Sequence, residues 1–126
     1  MNSNEKVITP LATMQYIDGI LHVDFLPKDA SLEDAKEYQA IQQAHFSQYY
    51  PILSVTDASK MKQVSKATRD YFASPEIAAT IKAVAVITGS GAAKFAGNLF
   101  LQFSKPKFPT KLFTDFDKAV EWLEQQ

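Results

Sequence analysis

The sequence predicts a single mixed α/β domain over residues 1–126, with one small sheet that opens on an antiparallel hairpin and continues through right-handed β-α units. Three observations predict this fold class. An Asp-Gly turn joins two segments near the start, strands alternate with helices after Pro51, and residues 83–87 form a continuous apolar run typical of a strand inside a parallel sheet. The competing architecture is a flavodoxin-like sheet with helices on both faces. The opening hairpin and the small number of predicted strands, four or five, favour the mixed sheet over the flavodoxin-like one.

Residues 12–26 are predicted to form the hairpin. The pair Asp18-Gly19 suits the two positive-φ positions of a two-residue loop. On the returning strand, apolar and polar side chains alternate, which predicts one buried and one hydrated face. The apolar residues are Leu21, Val23 and Phe25, and the polar ones are His22 and Asp24.

The first helix is predicted to begin at Ser31, because Asp34 three residues later approximates a capping box. Its predicted buried face follows the spacing of three and four residues that a helix requires. The members of this face are Leu32, Ala35, Tyr38, Ile41 and His45. The pattern ends at residues 49–51, Tyr-Tyr-Pro.

The central part of the chain predicts a strand and two short helices. Residues 52–59 are predicted to form the strand, because they are rich in β-branched side chains and end in turn-forming residues. Ser65 is predicted to cap a helix that continues through Phe72. Residues 74–76, Ser-Pro-Glu, are predicted to start the next helix, with proline at the first helical position.

The last part of the chain predicts a final strand at residues 110–114 and a closing helix. Thr114 with Asp117 repeats the capping pattern of the first helix. The apolar stripe of the closing helix consists of Phe116, Ala119, Val120 and Leu123. The predicted element order is therefore ββαβααβαβα.

Composition limits the function classes. The chain has 126 residues, a formal net charge of -1 and no cysteine. The net charge weakens the case for a nucleic-acid surface, so no nucleic-acid partner is expected. The absence of cysteine excludes disulfides, thiolate catalysis and cysteine-bound zinc. The polar N-terminal segment has no signal-peptide core, and a cytoplasmic location is expected.

The glycine turn Gly89-Ser90-Gly91 resembles a phosphate-binding loop but lacks its spacing. A Walker loop needs Gly-Lys-Ser/Thr, and here Lys94 is followed by Phe95. A dinucleotide-binding loop needs a third glycine where Lys94 stands. The turn is therefore interpreted as structural, with Ser90 capping the following helix. The alternative is an anion held at that helix N-terminus.

No pattern of catalytic residues is recognisable. The sequence therefore predicts a protein that is not an enzyme and has no cofactor or metal site. The two histidines are predicted on different elements. His22 is assigned to the hydrated face of the hairpin, and His45 shares a helix face with Ile41, which predicts a partly buried, structural histidine. Acidic residues at 33–34 and 115–117 are explained as first-turn charges at helix starts.

Residues 92–103 predict a helix that is apolar nearly all round, which is the strongest functional indication in the sequence. Such a helix requires a cover on two sides. A second copy of the chain is the first interpretation, most simply a two-fold dimer. Internal packing comes second, and lipid contact, which nearby lysines would favour, comes third. The candidate interface residues are Ala93, Gly97, Phe100 and Leu101.

Residues 52–72, ILSVTDASKMKQVSKATRDYF, resemble the strand, turn and helix of the STAS domain, the fold of bacterial anti-sigma-factor antagonists. Asp57-Ala58-Ser59 matches the family's Asp-x-Ser turn, and Met61 and Val64 match its apolar positions. The C-terminal half is similar to uncharacterised bacterial STAS-like proteins, a group also compared with lipid-binding CRAL-TRIO domains. The resemblance implies a STAS-like fold for most of the chain.

The same resemblance implies a regulatory or protein-interaction module, but the phosphoacceptor motif differs. Where the family has Asp-Ser-Ser-Gly, this chain has residues 65–68, Ser-Lys-Ala-Thr. Aligned through the preceding turn, Lys66 takes the place of the serine that a kinase phosphorylates. A shift by one residue would put Ser65 there, but the acidic neighbour would then be missing, so the phosphoswitch is not expected. The alternative function is a carrier or sensor of a small hydrophobic ligand. The residues considered for a regulatory or anion site are Asp57, Ser59, Ser65, Gly89, Ser90 and Gly91.

Overall fold

The computed structural model describes residues 5–88 and 107–126. In those ranges six strands form one sheet whose spatial order equals their order in the chain. The first two pairs are antiparallel, and the last three pairs are parallel. The mixed sheet predicted from the sequence is therefore confirmed. The strands are β1 Val7–Ile8, β2 Ala12–Ile17, β3 Ile20–Phe25, β4 Ile52–Asp57, β5 Ile81–Ile87 and β6 Thr110–Phe113.

The hairpin of β2 and β3 has the predicted two-residue turn. Ile17 pairs with Ile20, and the intervening Asp18 and Gly19 have φ angles of 50° and 84°. A Cβ atom on Gly19 would meet nothing within 4 Å. Glycine is therefore favoured here by its backbone angle and not by lack of space.

Four helices are described: α1 Leu32–Phe46, α2 Lys66–Phe72, α3 Pro75–Ala78 and α4 Phe116–Glu124. The predicted caps Ser31 and Ser65 each accept a hydrogen bond from a backbone N–H three residues later. Pro75 occupies the first position of α3, as predicted. None of the described helices is long and apolar enough to cross a membrane.

The cap predicted for α4 is wrong by one residue. Asp115, and not Thr114, is the N-cap, and its Oδ1 accepts from the N–H of Asp117 at 2.9 Å. An aspartate satisfies the free N–H as well as threonine does and adds a negative charge at the positive end of the helix. The stronger capping residue therefore fixes the helix start.

Helices α1 and α2 contribute to the larger core, on one side of the sheet, here called the α1 face. Leu21, Val23 and Phe25 of β3 point to this face and are buried, as their alternation predicted. From α1 they meet the buried side chains of Tyr38 and Phe46. Burial of these large apolar groups fixes α1 above the hairpin and β4.

Helix α4 packs on the opposite side, here called the α4 face, against β4, β5 and β6. Ala83 and Ala85 of β5 and Ala119 of α4 are fully buried in this second core, together with Leu123. Small side chains on both elements let the helix lie close to the sheet. Strand β5 lies between β4 and β6 and not at an edge, so the predicted interior position of residues 83–87 is confirmed.

Two short elements were not predicted from the sequence. Strand β1 has only two residues, and a single 3-10 turn covers Ser47–Tyr49. The Thr9 hydroxyl, which accepts from the N–H of Ala12 at 2.9 Å and donates to its carbonyl at 2.8 Å, fixes the turn from β1 to β2. Neither element is long enough to produce a periodic signal.

Candidate functional site

The carboxyl ends of β3, β4 and β5 meet at one edge of the sheet. Residues 26–31 leave β3 there, and residues 57–65 leave β4 and lead into α2. Open α/β sheets bind ligands outside the carboxyl ends of their parallel strands. These two loops therefore form the candidate functional site.

Asp57 and Ser59, both considered from the sequence, lie together in a tight turn at the end of β4. One carboxylate oxygen of Asp57 accepts from the backbone N–H of Ser59 at 2.9 Å and from its hydroxyl at 2.6 Å. This is the geometry of an Asx turn. The hydroxyl proton of Ser59 is thus already donated within the turn.

Ser65 belongs to a different network, at the start of α2. Its Oγ accepts from the N–H of Thr68 at 3.1 Å and lies 2.7 Å from the Thr68 hydroxyl. Thr68 donates its one hydroxyl proton to the carbonyl of Ala30 at 3.0 Å. Ser65 is therefore the donor in the hydroxyl pair. The chain Ser65–Thr68–Ala30 ties α2 to the residue that precedes the N-cap of α1.

Backbone contacts strengthen the same junction. Ala30 and Val64 form an isolated parallel bridge, and the N–H of Ala30 donates to the carbonyl of Gln63 at 2.7 Å. The N–H of Gln63 in turn donates to the carboxylate of Asp29 at 3.1 Å. The loops after β3 and β4 are therefore fixed to each other next to the start of α2.

The remaining residues considered from the sequence lie outside the described ranges. They are the glycine-turn residues Gly89, Ser90 and Gly91 and the proposed interface residues Ala93, Gly97, Phe100 and Leu101. The described part of the chain thus unites Asp57 with Ser59 and places Ser65 in a separate network.

A cavity of about 150 Å³ lies on the α1 face, against the same loop. Ala58, Met61 and Val64 of the loop line one wall, and side chains of the sheet, α1, α2 and α3 line the others. No charged side chain is among its described lining residues. These are Phe25, Tyr38, Gln39, Gln42, Ile52, Ser54, Thr56, Ala58, Met61, Val64, Phe72, Ala73, Ile77, Ile81, Val84, Val86, Phe108 and Thr110.

Polar groups of three kinds face this cavity. Ser54 and Thr56 of β4 share a hydrogen bond of 2.9 Å between their hydroxyls. Gln39 and Gln42 of α1 are only 8% and 5% exposed. Burial of Tyr38, with a smaller effect from Tyr50, raises the pKa of the Tyr38 hydroxyl, so it stays neutral. The cavity is apolar with a few neutral hydrogen-bonding groups.

The two glutamines were missed by the sequence reasoning. Of the predicted buried face of α1, Ala35 and Tyr38 are buried and Ile41 packs, partly buried, against the core, but the buried residues also include Gln39, Gln42 and Phe46. His45 is exposed, so its predicted partial burial is wrong. At about 100° per residue it lies about 80° from the centre of the buried side, at the margin of that side in the last turn of the helix. One signal in the sequence could have found them. Gln39 and Gln42 stand four residues after Ala35 and Tyr38, and positions four apart share a helix face.

A second cavity, of about 230 Å³, lies on the α4 face near the same strand ends. Its lining includes His22, Asp24, Asp57 and Phe116. Asp24 and Asp57 are register partners on β3 and β4. The sequence predicted His22 on a hydrated surface. In the structure His22 is partly buried, and its ring centroid lies 5.6 Å from that of Phe116.

Residues 14–126 match the model of a domain of unknown function, DUF7793. The chain belongs to the DUF7793 family. It is also similar to the crystal structure of an uncharacterised DUF3478-family protein with a SpoIIAA-like fold from Shewanella loihica. The TM-score is 0.63, with 19% identity, over 98% of each chain. A comparison with curated proteins finds no match.

The DUF7793 chain therefore has the SpoIIAA-like fold that the STAS resemblance predicted. Because the identity to the Shewanella protein is 19%, that similarity shows the fold alone. In its described residues, the DUF7793 chain contains no group of three His, Cys, Asp or Glu side chains that could hold a metal ion.

The partly buried His22 predicts a pH dependence of stability. Burial lowers the pKa of His22 below its usual 6.5, and the charge of Asp18 opposes this effect. The unfolded chain then takes up the proton more readily than the folded one. Stability is expected to fall as the pH decreases through about 6.5.

Urea denaturation at several pH values, with wild type and two variants, measures this effect. His22→Gln is expected to reduce the fall in unfolding free energy below that pH, whereas His45→Gln, at an exposed position, is expected to leave it unchanged. If His22→Gln and wild type follow the same pH curve, the half-buried histidine does not contribute as described.

Proposed function

We propose that this DUF7793 protein is a non-enzymatic regulatory module that binds a protein partner through residues 57–65 and α2. It would act like the anti-sigma-factor antagonists that the sequence resembles, but without their phosphoswitch. The SpoIIAA-like fold supports this proposal. The observation that carries it is the Ser65–Thr68–Ala30 network, which holds α2 and its loop in one position.

A fixed surface favours binding because little conformational entropy is lost when the partner docks. Lys66, Ala67 and Asp70 of α2 are exposed, and the Nζ of Lys66 lies 2.8 Å from a carboxylate oxygen of Asp70. Neutral, cationic and anionic groups are thus presented on one short helix. This mixed surface suits a protein partner better than a uniformly charged polymer.

The proposal of an unswitched module rests on what surrounds Ser65. Its hydroxyl accepts one hydrogen bond and donates another within the cap. Lys66, which takes the family's phosphoserine position, pairs with Asp70 instead. A phosphate on Ser65 would break the cap and its link to Ala30, so we propose constitutive binding.

A change on the exposed surface of α2 tests the proposal. Ala67→Arg adds bulk and charge where the partner would dock, and capture of that partner is expected to weaken by at least about tenfold. Ala40→Arg, an exposed alanine on α1, is the matched control and is expected to bind like wild type.

The measurement is affinity capture from an extract of the source cell with quantitative mass spectrometry, followed by calorimetry on the captured protein. Equal capture by wild type, Ala67→Arg and Ala40→Arg would contradict a docking role for α2. Enrichment of no protein over a blank resin would contradict the partner-binding function itself.

Self-association through residues 92–103 is a further partner proposal, made from the sequence, and it stays a prediction. Those residues lie outside the described ranges. Light scattering at high protein concentration tests it directly, because a monomer there would exclude a stable dimer.

A carrier or sensor of a small hydrophobic ligand is the second candidate function. A cavity of about 150 Å³ against residues 57–65, whose described lining residues carry no charge, favours it. Mass spectrometry of an organic extract from the purified protein separates the two candidates. A ligand in stoichiometric amount would support the carrier, and its absence would leave the interaction module as the better proposal.

A further inference from the structure

The proposed docking surface, residues 57–65 with α2, carries an excess of positive charge. Residues 57–72 contain four cationic and two acidic side chains, which are Lys60, Lys62, Lys66, Arg69, Asp57 and Asp70. Their formal charge is therefore +2, in a chain whose net charge is -1. We propose that this surface binds an acidic surface of a protein partner, with Lys60 and Lys62 as the main electrostatic contacts. This inference rests on the proposed docking function and names the chemistry of the partner.

Lys60 and Lys62 are the cations available to a partner. Both are exposed. The two ion pairs that the described residues form involve other lysines, so no carboxylate of the described residues lies within ion-pair distance of Lys60 or Lys62. Two like charges two residues apart and without a local counter-charge favour an external anion.

The neighbouring charged groups already have partners inside the chain. The Nζ of Lys66 lies 2.8 Å from a carboxylate oxygen of Asp70, and the Nη1 of Arg69 donates to the carbonyl of Val64 at 2.8 Å. The carboxylate of Asp57 accepts two hydrogen bonds within its own turn. The charges beside the two lysines are thus engaged locally, and those of Lys60 and Lys62 are not.

The backbone that carries the two lysines is held on both sides. The N–H of Met61 donates to the carbonyl of Ala58, and the N–H of Lys62 donates to the carbonyl of Lys28, each at 3.2 Å. The bridge of Val64 then joins the segment to the residues before α1. Both ammonium groups therefore extend from one defined segment beside α2, and docking costs little backbone entropy.

The amount of charge favours a protein over a polyanion. Duplex DNA and anionic bilayers are bound by larger clusters of Lys and Arg than an excess of two charges. The exposed Ala67 and the Lys66–Asp70 pair add neutral and mixed contacts next to the two lysines. A folded protein can match such a surface, with carboxylates opposite the lysines and mixed groups opposite α2.

An oligoglutamate peptide is the defined probe, with an oligolysine peptide of equal length as its control. Each is titrated into the isotope-labelled full chain and followed by NMR. Oligoglutamate is expected to shift the backbone signals of residues 60–66, and oligolysine is expected to leave them unchanged. The oligoglutamate affinity is expected to fall between about 50 and about 500 mM salt, because salt screens exposed charges.

Two double variants assign the binding to the two lysines. Lys60→Gln with Lys62→Gln is expected to weaken oligoglutamate binding by about three- to tenfold, since two favourable charge contacts are lost. Lys82→Gln with Lys107→Gln removes the same charge at exposed positions, at the start of β5 and before β6. These positions lie at the opposite edge of the sheet, and this variant is expected to bind like wild type.

Each other outcome contradicts the proposal. If oligoglutamate shifts no signal at residues 60–66, or if both double variants bind it alike, Lys60 and Lys62 do not recognise an acidic surface. If a DNA duplex or phosphatidylserine vesicles bind there and oligoglutamate does not, the occupant is a polyanion and not a protein.

Capture from the cell extract separates this proposal from the docking function on which it rests. Lys60→Gln with Lys62→Gln is expected to weaken capture of the partner, as Ala67→Arg does through its added bulk. If Ala67→Arg weakens capture and the lysine variant does not, the docking function stands and the acidic partner is wrong. If neither changes capture, the docking function itself is wrong.

Discussion

Leu21→Ala is expected to lower the free energy of unfolding by about 2–5 kcal/mol. Leu21 is 0% exposed on β3 of the hairpin and belongs to the larger core, together with buried side chains of α1. Truncation removes buried apolar surface and leaves a cavity that the paired strands on both sides keep from closing. Because small domains are stable by only about 5–15 kcal/mol, this is a large share of the total.

Urea denaturation followed by circular dichroism measures the effect. Leu112→Ala is the matched control, because Leu112 is 39% exposed on the sheet-edge strand β6. Its expected cost is well under half that of Leu21→Ala. Equal costs for the two leucines would contradict the position of β3 in the core.

Thr68→Val is expected to destabilise the protein by about 1–3 kcal/mol. The new side chain has the same shape, so packing is retained, but the Ala30 carbonyl and the Ser65 hydroxyl lose their common partner. Thr68 is fully buried, and water cannot easily replace it there. Thr114→Val, at an exposed position, is the control and is expected to be nearly neutral.

A double-mutant cycle shows whether Ser65 and Thr68 act together in one hydrogen-bond network or whether Ser65 acts only as a helix cap. Ser65→Ala alone is expected to cost about 0.5–2 kcal/mol as the loss of an N-cap. Together with Thr68→Val, the combined cost is expected to be less than the sum, because both changes break the same hydrogen bond. Additive costs would show that Ser65 and Thr68 act independently and would weaken the proposed rigid surface.

Much of the fold was predictable because its signals are local. The two-residue turn at Asp18-Gly19, the caps Ser31 and Ser65, and the alternation along β3 each depend on a few neighbouring residues. The misplaced cap of α4 shows the limit of such signals. Two capping residues stand side by side, Thr114 and Asp115, and the capping pattern led to the first of them although the second begins the helix.

The candidate site was predictable only in part. The sequence indicated Asp57, Ser59 and Ser65 as residues of interest, and the turn and the cap that they form are short-range. The contact from Thr68 to Ala30 spans 38 positions in the chain, and no local pattern indicates it. The cavity depends on several elements at once, and its glutamines look like ordinary helix-surface residues in the sequence.

The sequence by itself determined the mixed α/β class, the hairpin, the interior strand and most helix starts, since periodicity and capping are properties of short segments. The tertiary structure alone decided which side of α1 is buried, and thereby placed Gln39 and Gln42 inward and His45 outward. It also decided that the loops after β3 and β4 join at Ala30 and Val64. The physical reason is that burial and long-range pairing depend on how the elements pack together, which local composition does not contain.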